Sequence, residues 1–155
     1  MKRQIGASGN ANVGSLMYQA VDIILNTNAG KTMFQNLTQL QDATIVRMAI
    51  VPPKMANYSS QTYNSNIPTL ADYKNMFFTF MKGDITILEN VAALILNPFI
   101  DGDSTAATTA NSNPFWDKLF TPQKIDFNKS YVWMASAPSS ANLVVTLGVS
   151  YFYAD

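Results

Sequence analysis

The chain has 155 residues, of which only 13% are charged, and its ten basic residues balance its ten acidic ones. That length suits one domain with a proper core, burying on the order of 70% of its unfolded surface, and leaves no room for a second. The neutral balance gives no electrostatic reason to expect nucleic acid as a partner. With neither cysteine nor histidine there are no disulfides, thiol nucleophiles, Ser-His or Cys-His pairs, and none of the usual zinc, copper or non-haem iron ligand sets.

The acids are nearly all Asp, with Glu89 the single glutamate. Long helices lean on Glu, Lys and Arg for their solvent faces, so this balance disfavours a helical bundle and leaves Asn, Gln, Ser and Thr to supply the polar surface. Residues 1–15 hold Gly, Ser, Asn and Ala around a single Ile5, and read as a flexible arm that orders only against a neighbouring subunit. Lys2 and Arg3 are not followed by an apolar segment, so the stretch does not read as a secretory signal. Residues 16–155 then read as a single domain.

From Tyr18 to Leu25 two periods compete: Val21, Ile23 and Leu25 alternate, whereas Met17, Ala20, Val21 and Ile24 would line a helix. The alternation favours a strand. Met33, Phe34, Leu37 and Leu40 recur at helical spacing between Lys31 and Asp42, but Thr and Asn weaken a helix there and the segment stays ambiguous. Thr44 to Val51 is a strand ended by Pro52-Pro53, because proline cannot donate to a ladder. Residues 54–68 form a loop rich in Asn, Ser and Tyr, after which Thr69 and Asp72 offer an N-cap and the acid of a capping box for one or two helical turns.

Lys74 to Pro98 is the densest apolar stretch. Its runs, broken by Lys82-Gly83-Asp84 and by Glu89-Asn90, read as successive antiparallel strands, with Met76, Phe78 and Phe80 on one face and Ile85 and Ile87 on the return. Val91 to Leu96 is apolar on both faces and is expected to be a central strand; it is far short of the ~20 residues that cross a bilayer, so no transmembrane segment is expected. Phe99 to Pro114 is a low-complexity loop closing at Phe115-Trp116. Ile125 and Phe127 alternate with polar residues, Ser130 to Ser136 (SYVWMAS) reads as a strand, and Pro138 to Ala141 as a turn. Leu143, Val145, Leu147, Val149, Tyr151 and Tyr153 fall on one face of a last strand. About seven or eight strands with unequal loops favour an all-β, antiparallel two-sheet sandwich with one or two short helical turns.

Asn28 to Thr32 ends in Gly30-Lys31-Thr32 and resembles the second half of a Walker A motif, in which Lys31 would meet the phosphates and Thr32 the magnesium ion. Leu25 stands where the motif requires glycine. An ordinary Asn-Gly turn competes with that reading. Asp101 and Asp103 could touch calcium, but no distal bidentate acid completes the loop; as a glycosidase pair they would have to face each other across a cleft. Thr121 and Lys124 flank Pro122, which argues for a turn. The candidate interface or ligand contacts are aromatic: Phe99, Phe115 and Trp116 around the long loop, and Tyr58 and Tyr63 in the earlier one. Phe115 and Trp116 could equally fold back to plug one end of the sandwich. Asn36, Asn57 and Asn128 form glycosylation acceptor patterns in a chain rich in asparagine.

The polar arm, the short helix before a dense hairpin block, the long loop and the closing FNKSYVWMASAPSSANLVVTLGVSYFYAD together resemble a viral single jelly-roll capsid protein. The likeness covers residues 16–155 as a layout of strands. It implies a jelly roll acting as a penton (vertex) or minor capsid subunit of an icosahedral phage, located in the virion, without cofactor, metal or active site. It also implies homo-oligomers, pentamers foremost, that contact a major capsid protein and in some cases a spike protein. A carbohydrate- or receptor-binding jelly-roll module is the alternative, and a degenerate P-loop enzyme a third.

Overall fold

The computed structural model describes residues 15–35, 37–51, 55–57, 62–63, 66–96 and 121–154. The alternation read from Val21 to Leu25 produces β1 (Met17–Ile24), followed by β2 (Gly30–Met33), a 3-10 turn (Thr38–Leu40), β3 (Thr44–Val51) and a small hairpin, β4 (Met55–Asn57) and β5 (Thr62–Tyr63). Helix α1 (Leu70–Lys74) leads into β6 (Met76–Lys82) and β7 (Ile85–Ala92). One helical turn, α2 (Ala93–Leu96), follows, and then β8 (Gln123–Lys124), β9 (Tyr131–Met134) and β10 (Val144–Phe152).

Eight of these strands form two four-stranded sheets, ordered β1-β10-β3-β8 and β2-β9-β6-β7. The pairs β1 with β10, β2 with β9, β3 with β8 and β6 with β7 are all antiparallel. The chain is thus one long hairpin with its tip at the β6–β7 turn, rolled so that successive double strands fall on alternate sheets. The pairs β10–β3 and β6–β9 close the roll. This winding is the jelly roll, the expected sandwich architecture.

The inner faces meet as the period-two pattern dictates. Val21, Ile23, Ile45, Met48, Ile50, Val145, Leu147 and Val149 come from the first sheet; Met76, Phe78, Phe80, Val132 and Met134 come from the second, and all are buried. Phe34, Phe78, Phe80 and Phe127 interlock, Phe78 and Phe80 stacked at 5.9 Å and Phe127 meeting Phe34 edge-on at 5.4 Å. Each such ring contributes about 1.5–3 kcal/mol by leaving water.

The segment from Lys31 to Asp42, ambiguous in sequence, contains the end of strand β2 and then a 3-10 turn, because Gly30 to Met33 pairs with Tyr131 to Met134 and no helical face is needed to bury Phe34. Three expectations are corrected. Glu89-Asn90 does not separate two strands. It lies inside β7 as a bulge where the β6 register shifts, with Asn90 at a positive φ of 50° and its amide donating to Thr79 Oγ1 at 3.2 Å. Val91 to Leu96 is consequently not a central strand: β7 ends at Ala92 on the sheet edge, and Ala93 and Leu96 are buried from a helical turn. The segment expected to be a loop after Pro53 also contains the β4–β5 hairpin.

The capping box is present as expected. Thr69 Oγ1 accepts from the Asp72 amide, and the Asp72 carboxylate accepts from the Thr69 amide at 2.8 Å. On β10 the predicted odd positions from Val145 to Tyr151 are buried, as is Leu143 just before the strand, but Tyr153, expected on the same face, lies beyond the strand end and is exposed. Thr146 is buried on the opposite face as well, which the alternation did not indicate.

Candidate interaction surface

The outer face of the second sheet is built by the same alternation that fills the core. Val132 and Met134 on β9 point inward, so Tyr131 and Trp133 must point outward. Pairing then fixes their neighbours. Lys31 on β2 and Phe77 on β6 stand on either side of Trp133, and Met33 and Thr79 on either side of Tyr131. Trp133 is 43% and Met33 44% exposed, large apolar groups left to solvent on adjacent strands. The Lys31 ammonium lies 3.9 Å from the centre of the Tyr131 ring, a diagonal cross-strand contact in which the ring face attracts the cation. The product is an aromatic platform that carries the Lys31 charge.

The outer face of the first sheet also carries exposed apolar groups, all on or beside β1: Leu16, Tyr18 and Ile24. Tyr18 lies across Gly148 on β10, where an added Cβ would come within 2.6 Å of the phenol oxygen. Asp22 Oδ1 accepts from Thr146 Oγ1 at 2.7 Å, which satisfies that buried hydroxyl.

Two further carboxylates, Asp72 and Asp84, are engaged structurally. Asp72 is buried and accepts from the amide and hydroxyl of both Thr69 and Ser139. Burial pushes its carboxyl up, but the hydrogen bonds from Ser139 and Thr69 outweigh that and hold it below the usual carboxylate range. Burial, with the Asp72 charge adding to it, pushes the neighbouring Tyr73 phenol up to about 12. Asp84 forms a surface ion pair with Lys129 at 2.8 Å, whose hydrogen bond lowers the Asp84 carboxyl. Among the described residues no three His, Cys, Asp or Glu side chains group as a metal site would require, and no helix is long and apolar enough to cross a membrane.

Lys31 and Thr32 do not have P-loop geometry. They lie in an extended strand rather than in a loop opening a helix. Thr32 is buried, and its hydroxyl accepts from the Asn26 amide at 3.1 Å. Lys124 pairs with Thr44 at the short strand β8, and Asn128 is an exposed turn residue. Phe99, Phe115, Trp116 and Tyr58, with Asp101, Asp103, Asn36 and the arm through residue 14, lie outside the described residues. Asn57 and Tyr63 fall in the β4–β5 hairpin, and their side chains lie outside the described set.

Sequence reasoning looked for contacts in loops and passed over the sheet faces. The signal was present in Ser130-Tyr131-Val132-Trp133-Met134, where a strand burying Val and Met presents Tyr and Trp to the other side. The comparisons add no relative: no protein-family model, curated protein or solved structure matches the chain.

Proposed function

We propose that the chain is a structural virion subunit, a minor capsid or penton protein of an icosahedral phage that acts through its outline and its contacts with neighbours. The observation that carries this reading is the combination of a jelly-roll winding with large apolar side chains left exposed on both outer sheet faces, Tyr18 and Ile24 on one and Met33 and Trp133 on the other. Exposed apolar groups gathered on a rigid sandwich mark interaction surfaces. The step from jelly roll to capsid is a fold-level analogy. Pentamers, a major capsid protein and a spike are the partners this reading names, and cyclic symmetry would do the assembling.

Native mass spectrometry and electron microscopy of the purified chain, alone and with virion proteins co-expressed, test it. The expected result is a ring, or incorporation into particles at vertices. A chain that stays outside particles and binds glycans overturns it.

A carbohydrate- or receptor-binding module is the second reading, favoured by the Trp133, Tyr131 and Lys31 platform, since aromatic rings stack on apolar sugar faces. Glycan-array binding abolished by Trp133→Ala supports it. Binding abolished by Trp116→Ala instead places the contact on the long loop.

A further inference from the structure

The four outermost strands of the two sheets are unequally protected. Strand β8 is two residues long, and β2 is four residues long and carries Lys31. Strand β7 carries Glu89, and its bulge at Asn90 disrupts the ladder. Each has one of the devices that keep a sheet edge from pairing with another chain: shortness, a charge or a bulge. Strand β1 is neither short nor bulged: it is eight residues long and runs in unbroken register along β10 from Met17 to Ile24, with no proline, lysine or arginine, and its one charge, Asp22, accepts from Thr146 Oγ1 on β10.

Among the described residues no strand pairs with the free side of β1. Leu25 donates its amide to the Leu143 carbonyl at 2.9 Å. Antiparallel alternation therefore turns the backbone groups of odd-numbered β1 residues toward β10 and those of Tyr18, Ala20, Asp22 and Ile24 toward the open edge. Those four residues, together with Leu16, are all exposed.

We infer that β1 is the site at which two copies of this chain associate, by antiparallel pairing of β1 with β1 about a two-fold axis at Ala20. That register opposes Leu16 to Ile24 of the second copy and Tyr18 to Asp22 of the second copy, with the two small Ala20 side chains at the axis. Residues of like face stand opposite each other, as antiparallel pairing requires, and the open backbone groups of one edge meet those of the other. Asp22 is the only charge on the strand. The two Asp22 carboxylates are offset by about 14 Å along the strands, beyond the screening length at physiological salt. The chain's zero net charge adds no general repulsion between copies. A second copy is the fitting occupant because it brings an identical open edge of the same length, and one isologous contact covers both. The contact does not rest on the capsid reading.

Sedimentation velocity over a wide concentration range, with circular dichroism as the fold control, tests it. The wild-type chain is expected to form dimers, and Ala20→Lys, which places a charge at the axis on an exposed residue, is expected to weaken self-association by about tenfold or more without loss of fold. The chain has no cysteine, so Ala20→Cys gives an independent readout. Paired Cα atoms about 5.5 Å apart allow a disulfide, and mild oxidation is expected to cross-link this variant but not Met33→Cys on the other sheet. A wild-type chain monomeric throughout, self-association unchanged in folded Ala20→Lys, or cross-linking of Ala20→Cys no greater than that of Met33→Cys each overturns the proposal. A five-fold ring in a particle with every β1 edge unpaired also overturns it while leaving the capsid reading standing. A β1-linked dimer that enters no particle supports it on its own.

Discussion

Asp72 and Ser139, 67 positions apart in the chain, are joined by two hydrogen bonds: the Ser139 amide donates to Oδ1 at 2.8 Å and its hydroxyl to Oδ2 at 2.7 Å. The same carboxylate caps α1 through Thr69. One side chain thereby ties the turn between β9 and β10 to the helix that launches β6.

Asp72→Asn is expected to cost about 2–3 kcal/mol, because a carboxamide offers one acceptor oxygen where four donors converge and leaves donors unpaired. The effect should depend on pH. The folded carboxyl titrates below its unfolded value, so its stabilisation is complete above the ordinary carboxylate range and lost as pH falls through the folded pKa. Urea unfolding of both proteins at a series of pH values checks this: the gap between them should be widest near neutrality and shrink in acid.

At the alkaline end Tyr73 should matter. Its phenol is held up to about 12, so the folded state binds a proton that the unfolded chain releases near pH 10. Stability is therefore full below that unfolded value and falls as pH rises from about 10 toward the folded pKa. Tyr73→Phe, which removes the titrating group, is expected to flatten that part of the profile, measured by thermal melts at rising pH.

Phe80→Ala is expected to destabilise by about 3–5 kcal/mol, since Phe80 is fully buried and touches the rings of Phe34, Phe78 and Phe127. Ile85→Ala, on a side chain 70% exposed at the β6–β7 turn, is expected to change stability by less than about 0.5 kcal/mol. Paired urea titrations measure both.

Gly148→Ala is expected to cost about 1–2 kcal/mol although it adds one methyl group. The new Cβ would stand 2.6 Å from Tyr18 Oη and 2.9 Å from Val51 Cγ1. The phenol is the far end of a long side chain and can swing away; the β-branched Val51 is stiff. Gly148→Ala combined with Val51→Ala should therefore cost less than the sum of the two single substitutions, as a double-mutant cycle would measure.

Local chemistry made much of the framework legible. A strand alternating over Leu143 to Tyr151, the Pro52-Pro53 stop, the Thr69–Asp72 capping box and the Met76, Phe78, Phe80 face each follow from a period or a hydrogen-bonding rule acting over a few residues. The sandwich follows from the number of such strands and the scarcity of helix-supporting charge. Other features depended on partners distant in the chain. Glu89-Asn90 has the composition of a turn, and it became a bulge because Thr79 on β6 receives the Asn90 amide. Lys31 stands beside a sequence resembling a phosphate loop, and it became a strand residue over Tyr131 because β9 pairs with β2. Which faces remain open was likewise decided in three dimensions: Trp133 and Tyr18 sit in ordinary strand patterns, and only the order of strands in each sheet leaves one on an uncovered face and the other on an unpaired edge. Periodicity specifies which side chains share a face, but a face is buried or free according to the elements that long-range pairing brings against it.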